Sequence, residues 1–244
     1  MYREIRIWQS LEHPHVLPLL GICHNDTYES IRASSEHTVD PMISIGIVCP
    51  WMENGTLIDF LKRCQRRLEN TEELLYQLIR LAVHSKNIVH GDLHGGNVLV
   101  DSQGCARLAD FGLSAVVAEC RGTRRTSAGG ISSPHGGAVH WAAPELLLRE
   151  GAEARLHPSA DIYSVGGLIL QACTGDVPYP NYNDARVALA IKAGKKPRRP
   201  DKANISDALW SVMEECWCYD PLQRPTATAL ASRLQAIYSG LQPI

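Results

Sequence analysis

The segment IVHGDLHGGNVLVDSQGCARLADFG, residues 88–112, sets Asp92 five residues before Asn97 and a further carboxylate, Asp110, thirteen residues beyond that. Two short apolar runs, 98–100 and 106–109, frame a Ser-Gln-Gly turn, so a hairpin there would return Asp110 to the side of Asn97. An amide oxygen and a carboxylate converging in this way are hard ligands suited to Mg²⁺. Asp92 is then left to orient an attacking hydroxyl and accept its proton. That division of labour is what phosphoryl transfer requires, namely positioning plus charge neutralisation. Singly, each of the three residues is an ordinary turn cap. Their joint spacing carries the chemistry.

The surrounding elements follow from periodicity. Residues 3–12 place Ile5, Trp8 and Leu11 on one helical face, and HPHV ends that helix. VLPLLGIC and ISIGIVCPW read as strands joined by a long polar loop. A helix starts near Thr56 over LIDFLKRC, and another runs from Thr71 through Leu81 with TEEL as its capped start. Residues 114–138, rich in Gly, Ser and Thr, are expected to lack regular structure. From about Ser159 the pattern is helical, in SADIYSVGGLILQACTG, NDARVALAIKAG, ISDALWSVMEECW and TATALASRLQAIYSG. The expected class is α+β, with few strands early and a helical second half.

Composition narrows the partners. A net charge of −2 over 244 residues favours neither nucleic acid nor an anionic membrane. No apolar run reaches membrane-spanning length, and MYREIRIW carries charges where a secretory signal would be apolar. The eight cysteines form no C-x-x-C pair, which points to free thiols in a reducing, cytoplasmic compartment. The ten histidines form no helical i, i+4 pairing with a nearby carboxylate, so a structural metal site is not expected.

HGDLHGGN together with DFG resembles the protein-kinase catalytic loop H-R-D-L-x-x-x-N and its magnesium loop. The same stretch is similar to the loop of small-molecule phosphotransferases related to aminoglycoside and choline kinases, and downstream motifs discriminate the two. HWAAPELL at 140–147 matches the A-P-E element. SADIYSVGGLILQACTGDVPY resembles the central buried helix, with Asp161 expected to hold the catalytic-loop backbone. CWCYDPLQRPTA carries Arg224, whose family counterpart pairs with the A-P-E glutamate, here Glu145. The small-molecule enzymes lack this trio. PWMENGTLIDFL and Trp141 resemble the tyrosine-kinase-like group, and PWM, HGDL and LADFGL together resemble its members in mushroom-forming fungi.

The resemblance implies ATP and Mg²⁺ as cofactors and a protein as substrate or partner. It makes Asp92 and His94 the catalytic pair, and Asn97 and Asp110 the metal ligands. Cys49 becomes the gatekeeper, Pro50 and Met52 offer backbone groups to adenine, and Leu99 lies beneath the ring. Ordinary core packing is an equally compatible reading of Trp51, Met52 and Leu99.

Several positions depart from the family. Gly91 replaces the arginine that holds a loop phosphate, so phosphorylation at Thr123, Thr126, Ser127, Ser132 or Ser133 is not expected to switch the domain. His94 stands where serine/threonine kinases carry a lysine, and would be a weaker, pH-dependent cation. Ala138 replaces a common threonine; the preference for serine/threonine acceptors comes from the subgroup. The helix before HSKNIVHGDL is about two residues shorter than its relatives, more than half a turn at about 3.6 residues per turn. Glu4 precedes Pro14 as the glutamate of the regulatory helix precedes HP, yet the 244 residues contain no G-x-G-x-x-G.

The expectation is a protein-kinase-like fold with a truncated N-lobe over 1–52, comprising one helix and a two-strand remnant, and a helical C-lobe over 53–244. Ile5, Trp8 and Ile45 would then be uncovered, and phosphate transfer slow. The alternative function is a pseudokinase-type binding or scaffold module.

Overall fold

The computed structural model describes residues 2–25, 44–64, 88–111, 115–116, 138–148, 157–201 and 205–240. The helix expected over 71–81 and most of the 114–138 segment lie outside these residues.

Helix α1 (Tyr2–Gln9) turns Ile5 and Trp8 inward, joined by Leu11 just past its end. The Trp8 indole N–H donates to the Leu17 carbonyl (2.5 Å), and its ring stands 5.5 Å from Phe111. Ile5 and Trp8 are therefore buried, contrary to the expectation that their face would be bare. Phe111 and the extended chain after the helix cover Trp8.

Strands β1 (Gly21–Asn25) and β2 (Ser44–Val48) form an antiparallel ribbon running from Gly21↔Val48 to Asn25↔Ser44. The strand expected from Val16 begins only at Gly21. Pro18 offers no N–H to a ladder, and the chain before it pairs elsewhere: Leu17 N donates to Leu108 O (2.9 Å) and Leu108 N to His15 O (2.8 Å).

Helix α2 (Leu57–Cys64) starts in a reciprocal cap. Asp59 N donates to Thr56 Oγ1 (3.2 Å), and Thr56 N donates to Asp59 Oδ2 (3.4 Å). Strands β3 (Ile88–Val89), β4 (Val98–Val100), β5 (Ala106–Leu108) and β6 (Ala115–Val116) follow, with β4 paired to β5 and β3 to β6. The last pairing corrects the expectation of irregular chain there, because the apolar start of that segment finds a partner in Ile88–Val89.

The remaining α-helices among the described residues are α3 (Pro144–Leu148), α4 (Pro158–Thr174), α5 (Asp184–Lys192), α6 (Asp207–Cys216) and α7 (Ala227–Tyr238). The side chains of His157, Asn183, Ser206 and Thr226 cap the last four at their N-termini, and Gly175 closes α4 in the left-handed region at φ 78°. Gly166 and Gly167 let two indoles lie against α4: a Cβ at either would stand 2.7 Å from Trp217 or Trp141.

One core runs from Trp8 and Val16 through Leu57 and Phe111 to Leu168, Met213 and Leu234. A smaller one gathers Val139, Tyr179, Val187 and Ile191 beneath α5. Among the described residues no helix is long and apolar enough to cross a membrane.

Candidate active site

The loop between β3 and β4 is held from below. Asp161, in the first turn of α4, accepts from the backbone N–H groups of His90 (2.7 Å) and Gly91 (2.9 Å). Its burial pushes the carboxyl pKa up, opposed by the nearby His90 and by those two amides. Gly91 takes φ 78°, a conformation that costs a side-chain-bearing residue roughly 1 kcal/mol. His90 accepts from Asp92 N on Nδ1 (3.3 Å) and donates from Nε2 to Ala109 O (3.1 Å), tying the loop to the segment that carries Asp110.

Asn97 Nδ2 donates to the Asp92 carbonyl (2.9 Å), and Ala109 N donates to Asn97 O (2.8 Å). With Val98 opposite Leu108 in the hairpin, the structure brings Asp92, Asn97 and Asp110 together. The amide nitrogen of Asn97 is committed to the Asp92 carbonyl, so Oδ1 is the Asn97 atom that could meet a metal. Asp110 sits at φ 60°, rare for a non-glycine, between the bonded Ala109 and the buried Phe111. Among the described residues no group of three or more His, Cys, Asp or Glu side chains forms a metal cage. An amide oxygen with one carboxylate nevertheless fits Mg²⁺, which keeps several waters and binds partly through substrate phosphates.

His94 is buried and accepts from Gly96 N on Nδ1 (3.0 Å). Its proton therefore sits on Nε2, 3.9 Å from Asp92 Oδ2. The ring thus turns one N–H toward the carboxylate, where a lysine would offer three. The His94 ring leans on Trp141, centroids 5.9 Å apart, and the Trp141 carbonyl accepts from Ser164 Oγ of α4 (2.9 Å).

A side chain on Gly95 would run into Gln171 Oε1, and one on Gly96 into the His94 ring. Gln171 and Trp141 thus shape the loop from beneath, which motif reading did not foresee for Gln171. A polar residue inside the apolar run LILQAC was the available signal.

The other edge of the site is the stretch after β2. Met52 is buried, Cys49 and Pro50 are half-buried, and Trp51 is exposed. Asn54 N donates to Val100 O (3.1 Å) and Val100 N to Gly55 O (2.9 Å), while Thr56 bridges to Leu99. Met52 and Leu99 thereby approach one edge. Burial raises the Cys49 thiol above its ordinary value. Glu4 lies in α1, and its side chain is outside the described part.

Farther down, Arg224 grips Glu145 with two bonds, Nη1 to Oε1 (2.7 Å) and Nη2 to Oε2 (2.8 Å). The Arg224 side chain is fully buried and also donates to Ser159 O and Cys218 O (both 2.8 Å), so the charge is paired on every side.

The family described as protein tyrosine and serine/threonine kinase matches residues 1–234. The chain is 30% identical, over 93% of its length, to mitogen-activated protein kinase kinase kinase 2 of Arabidopsis thaliana. It is 28% identical over 96% to ephrin type-A receptor 1 of Mus musculus, and 27% over 92% to tyrosine-protein kinase Src64B of Drosophila melanogaster. It spans 31%, 22% and 37% of those proteins' own lengths. The match extends from α1 into α7 and encloses the whole loop geometry above, and on that ground this chain belongs to the protein tyrosine and serine/threonine kinase family.

Proposed function

We propose that the site transfers the γ-phosphoryl group of ATP to protein hydroxyls, with Mg²⁺ and with serine or threonine preferred as acceptor. The observation that carries this reading is the bond from Asn97 Nδ2 to the Asp92 carbonyl, which locks a proton acceptor and a metal ligand into one unit. Bound Mg²⁺-ATP would supply the phosphoryl group and the charge neutralisation that its transfer needs. Asn97 Oδ1 and the Asp110 carboxylate would hold the metal. Asp92 orients the acceptor hydroxyl and takes its proton, and His94 Nε2–H steadies the charge beside it. The Met52 N–H and the Pro50 carbonyl would bind adenine, with Leu99 and Cys49 as its neighbours. The serine/threonine preference rests on the tyrosine-kinase-like character of PWMENGTLIDFL and Trp141.

The 244 residues contain no G-x-G-x-x-G to fix the phosphates. Positioning is most of this catalysis, so the polypeptide of residues 1–244 by itself is expected to transfer phosphate several orders of magnitude below a usual kinase rate, about 1–100 s⁻¹. The same observation favours a second reading, a binding module that transfers nothing.

Radiolabelled ATP, Mg²⁺ and a generic protein acceptor, given to residues 1–244 and to Asp92→Asn, separate the readings. Slow, metal-dependent labelling of serine and threonine that disappears in the variant is the expected result. Labelling that survives Asp92→Asn removes the proposed role of that residue. Labelling confined to tyrosine reverses the acceptor preference, no labelling above background selects the binding module, and fast transfer overturns the expected rate.

A further inference from the structure

We propose that His140 is a pH-sensitive latch that joins the turn beneath the catalytic loop to the N-terminus of α5. The 3-10 turn Ala138–Trp141 is buried throughout, and its last residue carries the ring on which His94 leans. The neighbouring His140 ring meets two oxygens of the segment that leads into α5. Nδ1 lies 2.5 Å from Pro178 O, and Nε2 lies 3.5 Å from Asp184 Oδ1. A carbonyl and an ionised carboxylate only accept, whereas a neutral imidazole has one N–H and an imidazolium two. The closer, buried Pro178 carbonyl takes the single N–H, which leaves the Nε2 lone pair facing Asp184. Protonation of Nε2 turns that repulsion into an ion pair. The latch therefore closes on the acid side of the range in which histidine ionises and opens as pH rises.

What the latch holds is a strained turn. Tyr179 follows Pro178 at φ 57°, a conformation that bulky residues rarely adopt. Its ring stacks on Tyr182, centroids 6.0 Å apart, and its hydroxyl donates to Lys195 O (2.7 Å) beyond the far end of α5. His140 grips the peptide on the N-terminal side of that same residue. Helix α5 starts soon after, with Asn183 as its cap and Asp184 in its first turn. Tyr179 thus fastens the turn to one end of α5, and His140 reaches the other through Asp184.

Among the described residues Asp184 is the one carboxylate within ion-pairing distance of His140. Asp161 of α4 is committed to the loop amides, and Glu145 of α3 to Arg224. Arg186 of α5 lies over the Tyr182 ring, 4.0 Å from its centre, and Asp176 is exposed. The Asp184 side chain is 58% exposed, so water weakens its pull and the latch is a modest one. The same exposure lets Asp184 be changed without disturbing the core.

The test is amide hydrogen exchange on residues 1–244 without nucleotide, so its outcome is separate from the phosphotransfer reading. Val187 N, which donates to Asn183 O (2.9 Å), reports the first turn of α5. Ala142 N, which donates to Val139 O (3.2 Å), reports the other side of the latch. After division by the intrinsic exchange rate at each pH, protection at both amides should fall about two- to fivefold between about pH 5.5 and about pH 8. Asp184→Asn should remove that fall, because its amide does not titrate. His140→Asn keeps a donor for Pro178 O and loses the group that faces Asp184, so it should match the open state at both pH values. If the buried substitution does not fold, the exposed Asp184→Asn decides alone. A wild type whose protection does not change with pH overturns the proposal. So does a fall of equal size in Asp184→Asn, which would assign the effect to other groups.

Discussion

Fourteen of the seventeen residues of α4 are buried, whereas in the β1–β2 ribbon Ile22 and Val48 stand 44% and 40% exposed and Leu20, just before it, 65%. A helix apolar all round becomes the centre of a core. Two strands alone cannot enclose an apolar face and are marginal in water. The catalytic candidates divide along this line. Asp92 and Asn97 hang from α4 through Asp161, while Cys49 and Pro50 follow the ribbon directly. The half of the site proposed to handle the proton and the metal is thus preset by the stable region, and the half proposed to meet adenine borders the weaker one. Helix α1 crosses the division: it precedes the ribbon in sequence, yet Trp8 belongs to the core of α4.

The comparison can be broken most forcefully at its buried ion pair. Glu145→Ala strands the Arg224 guanidinium in the interior and should cost about 3–5 kcal/mol, read as a large fall in melting temperature. Asp207→Ala opens the exposed pair with Arg199 and should cost about 0–1 kcal/mol. Equal shifts would mean that Arg224 is not held as described. Trp8→Ala should cost about 3–5 kcal/mol if α1 is energetically part of the helical region. A near-neutral result in a denaturant titration would return α1 to the ribbon.

A smaller effect lies beneath the same ion pair. Burial pushes the Tyr163 phenol up to about 12 from its ordinary value of 10. A raised value in the folded state means that the stability it contributes is complete below pH 10. That stability is lost as pH rises through about 12, a change of roughly 2–3 kcal/mol. Tyr163→Phe should flatten the fall in stability across that window; an unchanged slope would assign the alkaline loss to other groups. Least of all, Ile22→Thr with Val48→Thr should change stability by no more than about 0.5 kcal/mol while reducing light scattering at high concentration. Destabilisation well beyond that would show that the ribbon is better covered than its exposure indicates.

The site was legible in the sequence where its parts are local. Asp92, Asn97 and Asp110 lie within one loop and one hairpin, and the Ser-Gln-Gly turn announces the register. The helices from α4 onward were legible too, because their periodicity is bounded by glycines and prolines. What escaped depends on distant neighbours. The apolar face of Ile5 and Trp8 is plain in the sequence, but its burial was not expected, because the ring that covers Trp8 is Phe111, about a hundred residues away. The apolar run from Val16 looks like a strand, but Pro18 and the competing edge of β5 delay the ribbon to Gly21. Gln171 lies beneath Gly95 only because α4 folds under the loop, and its polar type within LILQAC marks the residue without naming that neighbour.

The bonds from Asp161 to His90 and Gly91 also set a clock. They join residues 71 and 70 positions apart. A ribosome adding about 5–20 residues per second finishes the catalytic loop roughly 4–14 seconds before it finishes the residue that clamps it. During that interval Asp92 and Asn97 already exist in the nascent chain, but the amides beside them have no carboxylate to hold them. A partner or chaperone that engages the emerging chain in that time meets a loop that is not yet a site, and competence arrives only when the first turn of α4 docks.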